Sequence, residues 1–348
     1  MTMKVKVYNF DIKLSWGLLN TISQIDRFDA SWSSIEKREG MSLKQLKTIA
    51  TIQSVGASTR IEGSKLSDKE VEELLNNIGI SKIEDRDSQE VVGYFNALDL
   101  ISDSFESISI SENNIKNLHN QLLNYSKKDD WHKGAYKQHV NAVQASFPDG
   151  SKRIIFQTTE PGYATEDAMR ELIHWYGEEQ EVHLLIRCAA LAYEFLSIHP
   201  FQDGNGRLSR LLTTLCLLKS GYKWIQYVSF EHEIEQNKKQ YYQALRSCQA
   251  QRPQEDITEW IDFFLSSLIN VQIKLQNKLD ITNQENTLSP KEKSVFVYIS
   301  EHLNCQSKDL TFALNIPKST VKRILSDLIA KKIIIQNGKG AGVYYSIS

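Results

Sequence analysis

Cysteine is scarce, with only Cys188, Cys216, Cys248 and Cys305 in 348 residues. They are scattered, with no Cys-x-x-Cys pair and no histidine cluster at zinc spacing. This argues against disulfides and structural zinc and reads them as reduced packing residues, the first three inside helical patterns. An excess of charge of one sign is also missing: 41 Lys and Arg against 43 Asp and Glu leave a net charge of -2, which points to no class of partner. Long apolar runs are absent too. No stretch reaches membrane-spanning length without charges, and Met1 to Lys6 lacks the apolar region of an export signal, so the expected location is cytoplasmic. What is present is a 41% hydrophobic content, enough for a large core, in a chain longer than the usual single domain.

The most informative segment is His199-Pro200-Phe201-Gln202-Asp203-Gly204-Asn205-Gly206-Arg207-Leu208-Ser209-Arg210. It joins two apolar helical patterns, one from Leu184 to Leu196 and one in which Leu208, Leu211, Leu212, Leu215 and Leu218 recur until Gly221. Gly204 and Gly206 flanking Asn205 let the backbone turn sharply and aim successive N–H groups at one point. A helix begins there, and its dipole favours an anion. Arg207 and Arg210 lie three apart on one face beside that point. His199 can take a proton from an attacking hydroxyl, and Asp203 offers a hard oxygen to a magnesium ion bridging phosphates. Taken singly, these residues also fit an Asn-Gly turn with a capping Asp and a buried His. Taken together they form an inventory for phosphoryl or nucleotidyl transfer.

The twelve residues resemble the signature of the Fic family, His-x-Phe-x-(Asp/Glu)-Gly-Asn-Gly-Arg-x-x-Arg, at every fixed position, Phe201 included. The resemblance implies an α-helical enzyme that moves AMP from ATP to a Ser, Thr or Tyr hydroxyl of a protein and releases pyrophosphate. It makes His199 the general base, Asp203 the magnesium ligand, Gly204, Asn205 and Gly206 the anion hole, Arg207 a phosphate contact and Arg210 the γ-phosphate partner. Upstream, Ser58-Thr59-Arg60-Ile61-Glu62-Gly63 resembles the family's inhibitory pattern (Ser/Thr)-x-x-x-Glu-(Gly/Asn) in its N-terminal placement. A Glu62 carboxylate on Arg210 would occupy the guanidinium that the γ-phosphate needs and repel that phosphate. Alone, Ser58 to Gly63 reads equally as a helix end with a glycine stop.

Along the rest of the chain, residues 4 to 10 read as a short strand, and Leu14 to Phe28 and Ser42 to Ser58 as helices. Ser67-Asp68-Lys69-Glu70 is a capping box, and further helices are expected at Ser88 to Phe105 and Ser111 to Tyr125. Around Pro148-Asp149-Gly150 the period changes to that of a β-hairpin, with Arg153, Ile154, Ile155, Phe156 and Gln157 on the return side. This is similar to the Fic flap, whose edge can hold an extended target segment by backbone pairing. It also fits a hairpin with no role. Relatives often have Arg where Lys137 stands, and a Pro-rich run where this chain has Thr158-Thr159-Glu160-Pro161. Tyr241-Tyr242-Gln243-Ala244-Leu245 resembles a family segment near the nucleoside pocket, which would let an aromatic ring stack on adenine and Gln249 reach a polar edge. Two tyrosines on an amphipathic helix also fit a core position.

After a polar stretch at Gln284 to Thr287, helices are expected at Pro290 to Leu303, Ser307 to Leu314 and Lys318 to Ala330. They precede Ile333 to Ile335, a glycine-rich turn at Gly338 to Gly342, and Val343 to Tyr345. The order resembles a winged helix. This tail carries +4 while the rest of the chain carries -6, and Ser319, Thr320, Lys322 and Arg323 would front a recognition helix suited to DNA. Such a module equally docks protein or forms a homodimer. The expected architecture is mainly α, with an N-terminal helical region at 1–85, a Fic-type core with a hairpin flap at 86–280, and a winged helix-turn-helix domain at 287–348. The expected function is a self-inhibited protein adenylyltransferase using ATP and magnesium. The alternatives are removal of AMP, with Glu62 positioning water, and a nucleotide-sensing transcriptional regulator.

Overall fold

The structure is a computed structural model that describes residues 3–78, 83–146, 152–286, 288–302, 304–331, 333–338 and 340–347. It divides into two compact units, Met1–Lys274 and Leu275–Ser348. The chain is mainly helical, and among the described residues its strands occur as three antiparallel pairs. Among the described residues no helix is long and apolar enough to cross a membrane.

The first unit opens with β1 (Met3–Val7) and β2 (Phe10–Leu14), paired from Val7 opposite Phe10 to Met3 opposite Leu14. The single strand expected at 4–10 is thus a hairpin. Its turn sits at Tyr8, held at φ 56°, so the chain reverses inside that stretch. A larger difference follows. The two helices expected at Leu14–Phe28 and Ser42–Ser58 are one, α1 (Trp16–Ile61), capped by Ser15, whose hydroxyl accepts the Leu18 N–H at 3.0 Å. The intervening residues include Glu36, Lys37, Arg38 and Glu39, all good helix formers. They also place Trp32 and Ile35 on the buried face that Ile22 and Ile25 begin, so the lone Gly40 does not break the helix.

Ser67 and Glu70 form the expected capping box of α2 (Asp68–Asn76). Asp85 caps α3 (Arg86–Ser104), and Ser111 caps α4 (Glu112–Leu122). Strands β3 (Ala142–Ser146) and β4 (Lys152–Gln157) pair antiparallel, with an irregularity between Val143 and Gln144. The turn expected at Pro148-Asp149-Gly150 lies outside the described residues. Helix α5 (Tyr163–Glu178) follows, in a stretch where sequence periodicity had named no element.

At the centre lie α6 (Leu184–Ile198) and α7 (Asn205–Lys219), packed on each other and buried on nearly every face. A helix apolar all round belongs in the interior. The loop between them is therefore mounted on two rigid supports. Around them stand α8 (Phe230–Gln236), α9 (Lys238–Gln249) and α10 (Thr258–Asn286), which runs on into the second unit. Helix α10 continues through Gln284 and Glu285, read from their polarity as a linker, because both have good helix propensity.

The second unit contains α11 (Pro290–Glu301), α12 (Ser307–Ala313) and α13 (Lys318–Ala330), followed by β5 (Ile334–Asn337) paired with β6 (Tyr344–Ile347). Val295, Phe296, Leu310, Val321, Leu325 and Leu328 form its core. Lys332 and Lys339 of the basic tail lie outside the described residues.

Candidate active site

The α6–α7 loop begins where α6 ends, and His199 is its turning point. Its backbone is left-handed, at φ 53°, with its N–H bonded to Phe195 O at 3.0 Å. A non-glycine residue holds that conformation at a cost and needs surroundings that fix it. Nδ1 of the ring lies 3.4 Å from Leu196 O, so a proton on Nδ1 points into the helix end and leaves Nε2 as the open acceptor. Burial pulls the imidazole pKa down to about 4 against the Leu196 carbonyl, and the Lys137 charge adds to the lowering. The ring is neutral at neutral pH, as a base must be.

Asn205 staples the loop: its Oδ1 accepts the Phe201 N–H at 2.9 Å and its Nδ2 donates to Phe201 O at 2.7 Å. The Phe201 ring stacks on His119 with centroids 3.9 Å apart. His119 Nδ1 accepts the Gly134 N–H at 2.9 Å, which puts its proton on Nε2, 3.0 Å from Asp203 O. Burial takes this ring also to about 4, so it is a neutral strut.

Gly204 caps α7 at φ 80°, a conformation open to glycine, and offers no side chain of its own. The N–H groups of Asn205, Gly206 and Arg207 are those a helix start leaves without an i−4 carbonyl, so they form the anion-binding end. Asp203 stands beside it, 43% exposed, its Oδ1 accepting the Gly204 N–H at 2.6 Å. Burial pushes its pKa up, but Arg207, the Gly204 N–H, Arg86 and Lys128 outweigh that and hold it below the carboxylate range. Arg207 is 2% exposed, its Nη2 3.5 Å from Asp203 Oδ1 and its Nη1 3.5 Å from Glu90 Oε1. Neither Nε nor Nη1 has a hydrogen bond among the described residues. Glu90 is a partner that sequence spacing did not reveal.

Arg210, one turn further, is committed to the end of α1. Nε donates to Ser58 Oγ at 2.8 Å, and Nη2 donates to Ser58 O at 3.0 Å and to Glu62 Oε1 at 2.7 Å. Burial of Glu62 opposes its ionisation, and the Arg210 charge and hydrogen bond prevail, leaving the carboxyl lowered. A Cβ on Gly206 would collide with Glu62 Oε1, so that glycine lets the carboxylate close over the start of α7. Gly63, at φ 110°, ends α1: its N–H bonds to Arg60 O at 3.0 Å and the Ser64 N–H to Thr59 O at 3.1 Å. The two readings of Ser58 to Gly63 therefore hold together, a glycine-stopped helix that also delivers a carboxylate to Arg210.

This helix end is pinned. Arg60 Nε and Nη2 reach Glu235 Oε1 and Oε2 at 2.7 and 3.0 Å, its Nη1 reaches Asp68 Oδ1 at 2.9 Å, and Lys238 Nζ donates to Ile61 O at 2.7 Å. None of these partners was visible in the sequence.

Of the nucleoside residues, Tyr241 and Tyr242 lie side by side with centroids 5.1 Å apart, and Tyr241 is buried, its ring 5.4 and 5.8 Å from those of Trp260 and Phe263. Gln249 is buried and donates to Ser197 Oγ at 3.0 Å. Tyr242 alone fronts an open groove, with Lys238, Lys239, Gln243 and Arg246. Strand β4 passes beside α9; the side chains of Ile154 and Ile155 are outside the described set, Phe156 is half-buried and Gln157 exposed. Among the described residues no group of three or more His, Cys, Asp or Glu could hold a metal ion.

Residues 109–217 match the Fic/DOC family model. Proteins named protein adenylyltransferase Fic from Drosophila mojavensis and Drosophila grimshawi are each 28% identical over 199 residues, 54% of this chain and 37% and 38% of theirs. The chain thus spans well under half the length of these curated relatives. In fold it is similar to a Fic family protein from Desulfovibrio desulfuricans, with a TM-score of 0.63 and 20% identity over 96% of this chain and 97% of that one. It is also similar to a Fic domain containing signaling protein from Bacteroides thetaiotaomicron, with a TM-score of 0.56 and 22% identity over 74% and 94%. The chain carries a Fic/DOC-family domain, and it is built as a Fic-type helical core.

Proposed function

We propose that this chain is a self-inhibited protein adenylyltransferase, moving AMP from ATP to a Ser, Thr or Tyr hydroxyl of a target protein or of itself. The names of the Drosophila relatives support the activity. The observation that carries the reading is one juxtaposition: a neutral His199 with Nε2 open, beside the N-terminus of α7, with Arg210 held by Glu62. In the step, Nε2 takes the hydroxyl proton as the oxygen bonds to the α-phosphorus. The bond to the β-bridging oxygen breaks, and its electron pair leaves with pyrophosphate. The N–H groups of α7 and Arg207, with donors to spare, take the growing charge on the phosphates.

Magnesium suits Asp203, a single half-exposed carboxylate whose Oδ2 has no hydrogen bond or ion pair among the described residues, because this ion keeps most of its ligands as water and phosphate. When bound, it would neutralise phosphate charge. The test supplies ATP labelled at the α- or γ-phosphate to the wild-type protein and to Glu62→Gly, with cell lysate. Transfer of the α-label alone supports the reading. Label from the γ-phosphate, or none with either protein, overturns it, and release of AMP from modified protein establishes removal instead.

For residues 287–348 we propose a winged helix that binds DNA in the cytoplasm. The supporting observation is that Lys318, Ser319, Lys322 and Arg323 on α13 are exposed, and that none of these basic side chains has an ion pair among the described residues. Binding to duplex DNA should fall steeply with salt and with Lys322→Ala and Arg323→Ala. A change in oligomeric state with no DNA binding would establish docking to a second copy.

A further inference from the structure

Lys137 is 2% exposed, and among the described residues no carboxylate forms an ion pair with it. Its Nζ donates to three neutral oxygens: Asn141 Oδ1 at 3.0 Å, Thr158 Oγ1 at 3.0 Å and Ile198 O at 3.1 Å. A buried ammonium without a counter-ion is costly, and burial accordingly draws its pKa down to about 8, opposed by the Glu160 charge. Such a group needs a compensating purpose.

Its surroundings supply one. The Lys137 N–H bonds to Pro200 O at 2.8 Å, and Asn141 Nδ2 lies 3.4 Å from His199 O and 2.8 Å from Phe201 O. With Ile198 O on Nζ, Lys137 and Asn141 hold four successive carbonyls, across the left-handed turn at His199. Thr158 is the residue directly after β4, and its hydroxyl lies 2.7 Å from Asn141 O. One buried cluster thus joins the foot of the hairpin to the backbone that carries His199.

We propose that Lys137 is a positioning residue for AMP transfer, fixing the hairpin that receives the target segment in register with the base that takes the target's proton. This rests on the functional reading above. An acceptor hydroxyl laid along β3–β4 arrives at a distance from Nε2 set by this cluster, and an error of about 1 Å there costs roughly a hundredfold in rate. The ammonium also acts on the base through space: the charges reaching His199 are Lys137, which lowers its pKa, and Glu62 and Asp203, which raise it.

The test uses the full chain with Glu62→Gly as the active parent, and adds Lys137→Met, Lys137→Arg and Thr158→Val. In Lys137→Met, kcat for the protein acceptor should fall by roughly ten- to a hundredfold while ATP affinity stays within about twofold. The acid limb of its rate–pH profile should move upward, because His199 has lost a neighbouring positive charge. Lys137→Arg keeps the charge and should leave that limb in place, and Thr158→Val should lower kcat without moving it. The last variant keeps the test decisive should Lys137→Met fail to fold. Unchanged kcat and an unmoved acid limb in Lys137→Met, or unchanged kcat in Thr158→Val, would overturn the proposal. A parent that transfers nothing would instead overturn the functional reading, and this proposal with it.

Discussion

Glu62 Oε1 lies 2.7 Å from Arg210 Nη2, joining residues 148 positions apart. Both ends are firmly placed. Arg210 is buried and also bonded to Ser58, and the end of α1 is anchored through Arg60 to Glu235 and Asp68. Under the proposed function, this fixed pair is the plug that keeps Arg210 from a γ-phosphate.

Removing the plug should activate. Glu62→Gly frees the guanidinium from a charge-assisted hydrogen bond worth about 1.5–3 kcal/mol, so automodification should rise by roughly ten- to a hundredfold. Arg210→Ala should not mimic this, since it removes the partner of inhibitor and phosphate together, and the double variant should be as inactive as Arg210→Ala. Quantified labelling with ATP checks all three. A Glu62→Gly protein labelled at the wild-type level would leave the pair purely structural.

His199→Ala should abolish transfer while leaving ATP affinity nearly unchanged, as measured by calorimetry. The pH dependence has a definite sign. Because the imidazole is depressed to about 4, the neutral base is present throughout the neutral range, and activity should be lost only as pH falls towards 4. An acid limb near the ordinary histidine value would contradict the buried environment.

Loosening the anchor should activate in part. In Glu235→Ala, Arg60 keeps Asp68 and Leu66 O but loses its bidentate partner. The end of α1 should then dwell less on Arg210, and automodification should rise by less than in Glu62→Gly. Hydrogen exchange across residues 58–64 should quicken in parallel. Activity at the wild-type level would mean that the glycine-stopped helix end holds Glu62 without this anchor.

Asp203→Ala should remove the dependence of ATP binding on magnesium, and with it transfer. Chelation of divalent ions should do the same to the Glu62→Gly protein. ATP titrations with and without magnesium read this directly, and an unchanged magnesium dependence would leave Asp203 only as the acceptor of the Gly204 N–H.

Helices α3 and α4 cross closely at Gly93. A Cβ on Gly93 would fall on the Leu122 carbonyl oxygen, a backbone atom with no room to yield. Gly93→Ala should destabilise the first unit by about 1–3 kcal/mol, visible as a lower urea midpoint.

The residues from His199 to Arg210 were legible in the sequence because their chemistry is contiguous: a turn, a helix start and two arginines one turn apart need no tertiary knowledge. The capping box at Ser67 was legible for the same reason, since a cap acts over three residues. Periodicity failed where the charged run Glu36 to Glu39 and Gly40 interrupts the apolar pattern, which split α1 into two expected helices although Trp32 and Ile35 continue its buried face. Contacts between distant segments were decided only by folding. The sequence motif made Glu62 an inhibitor candidate by resemblance, but its reach to Arg210, and the roles of Glu90, Glu235, Asn141 and Thr158, depend on which helices pack against α6 and α7. The same packing turned Tyr241 and Gln249 inward. An aromatic stripe suits a core and a ligand face equally, and the sequence did not show that Tyr241 packs on Trp260 and Phe263 or that Gln249 bonds Ser197.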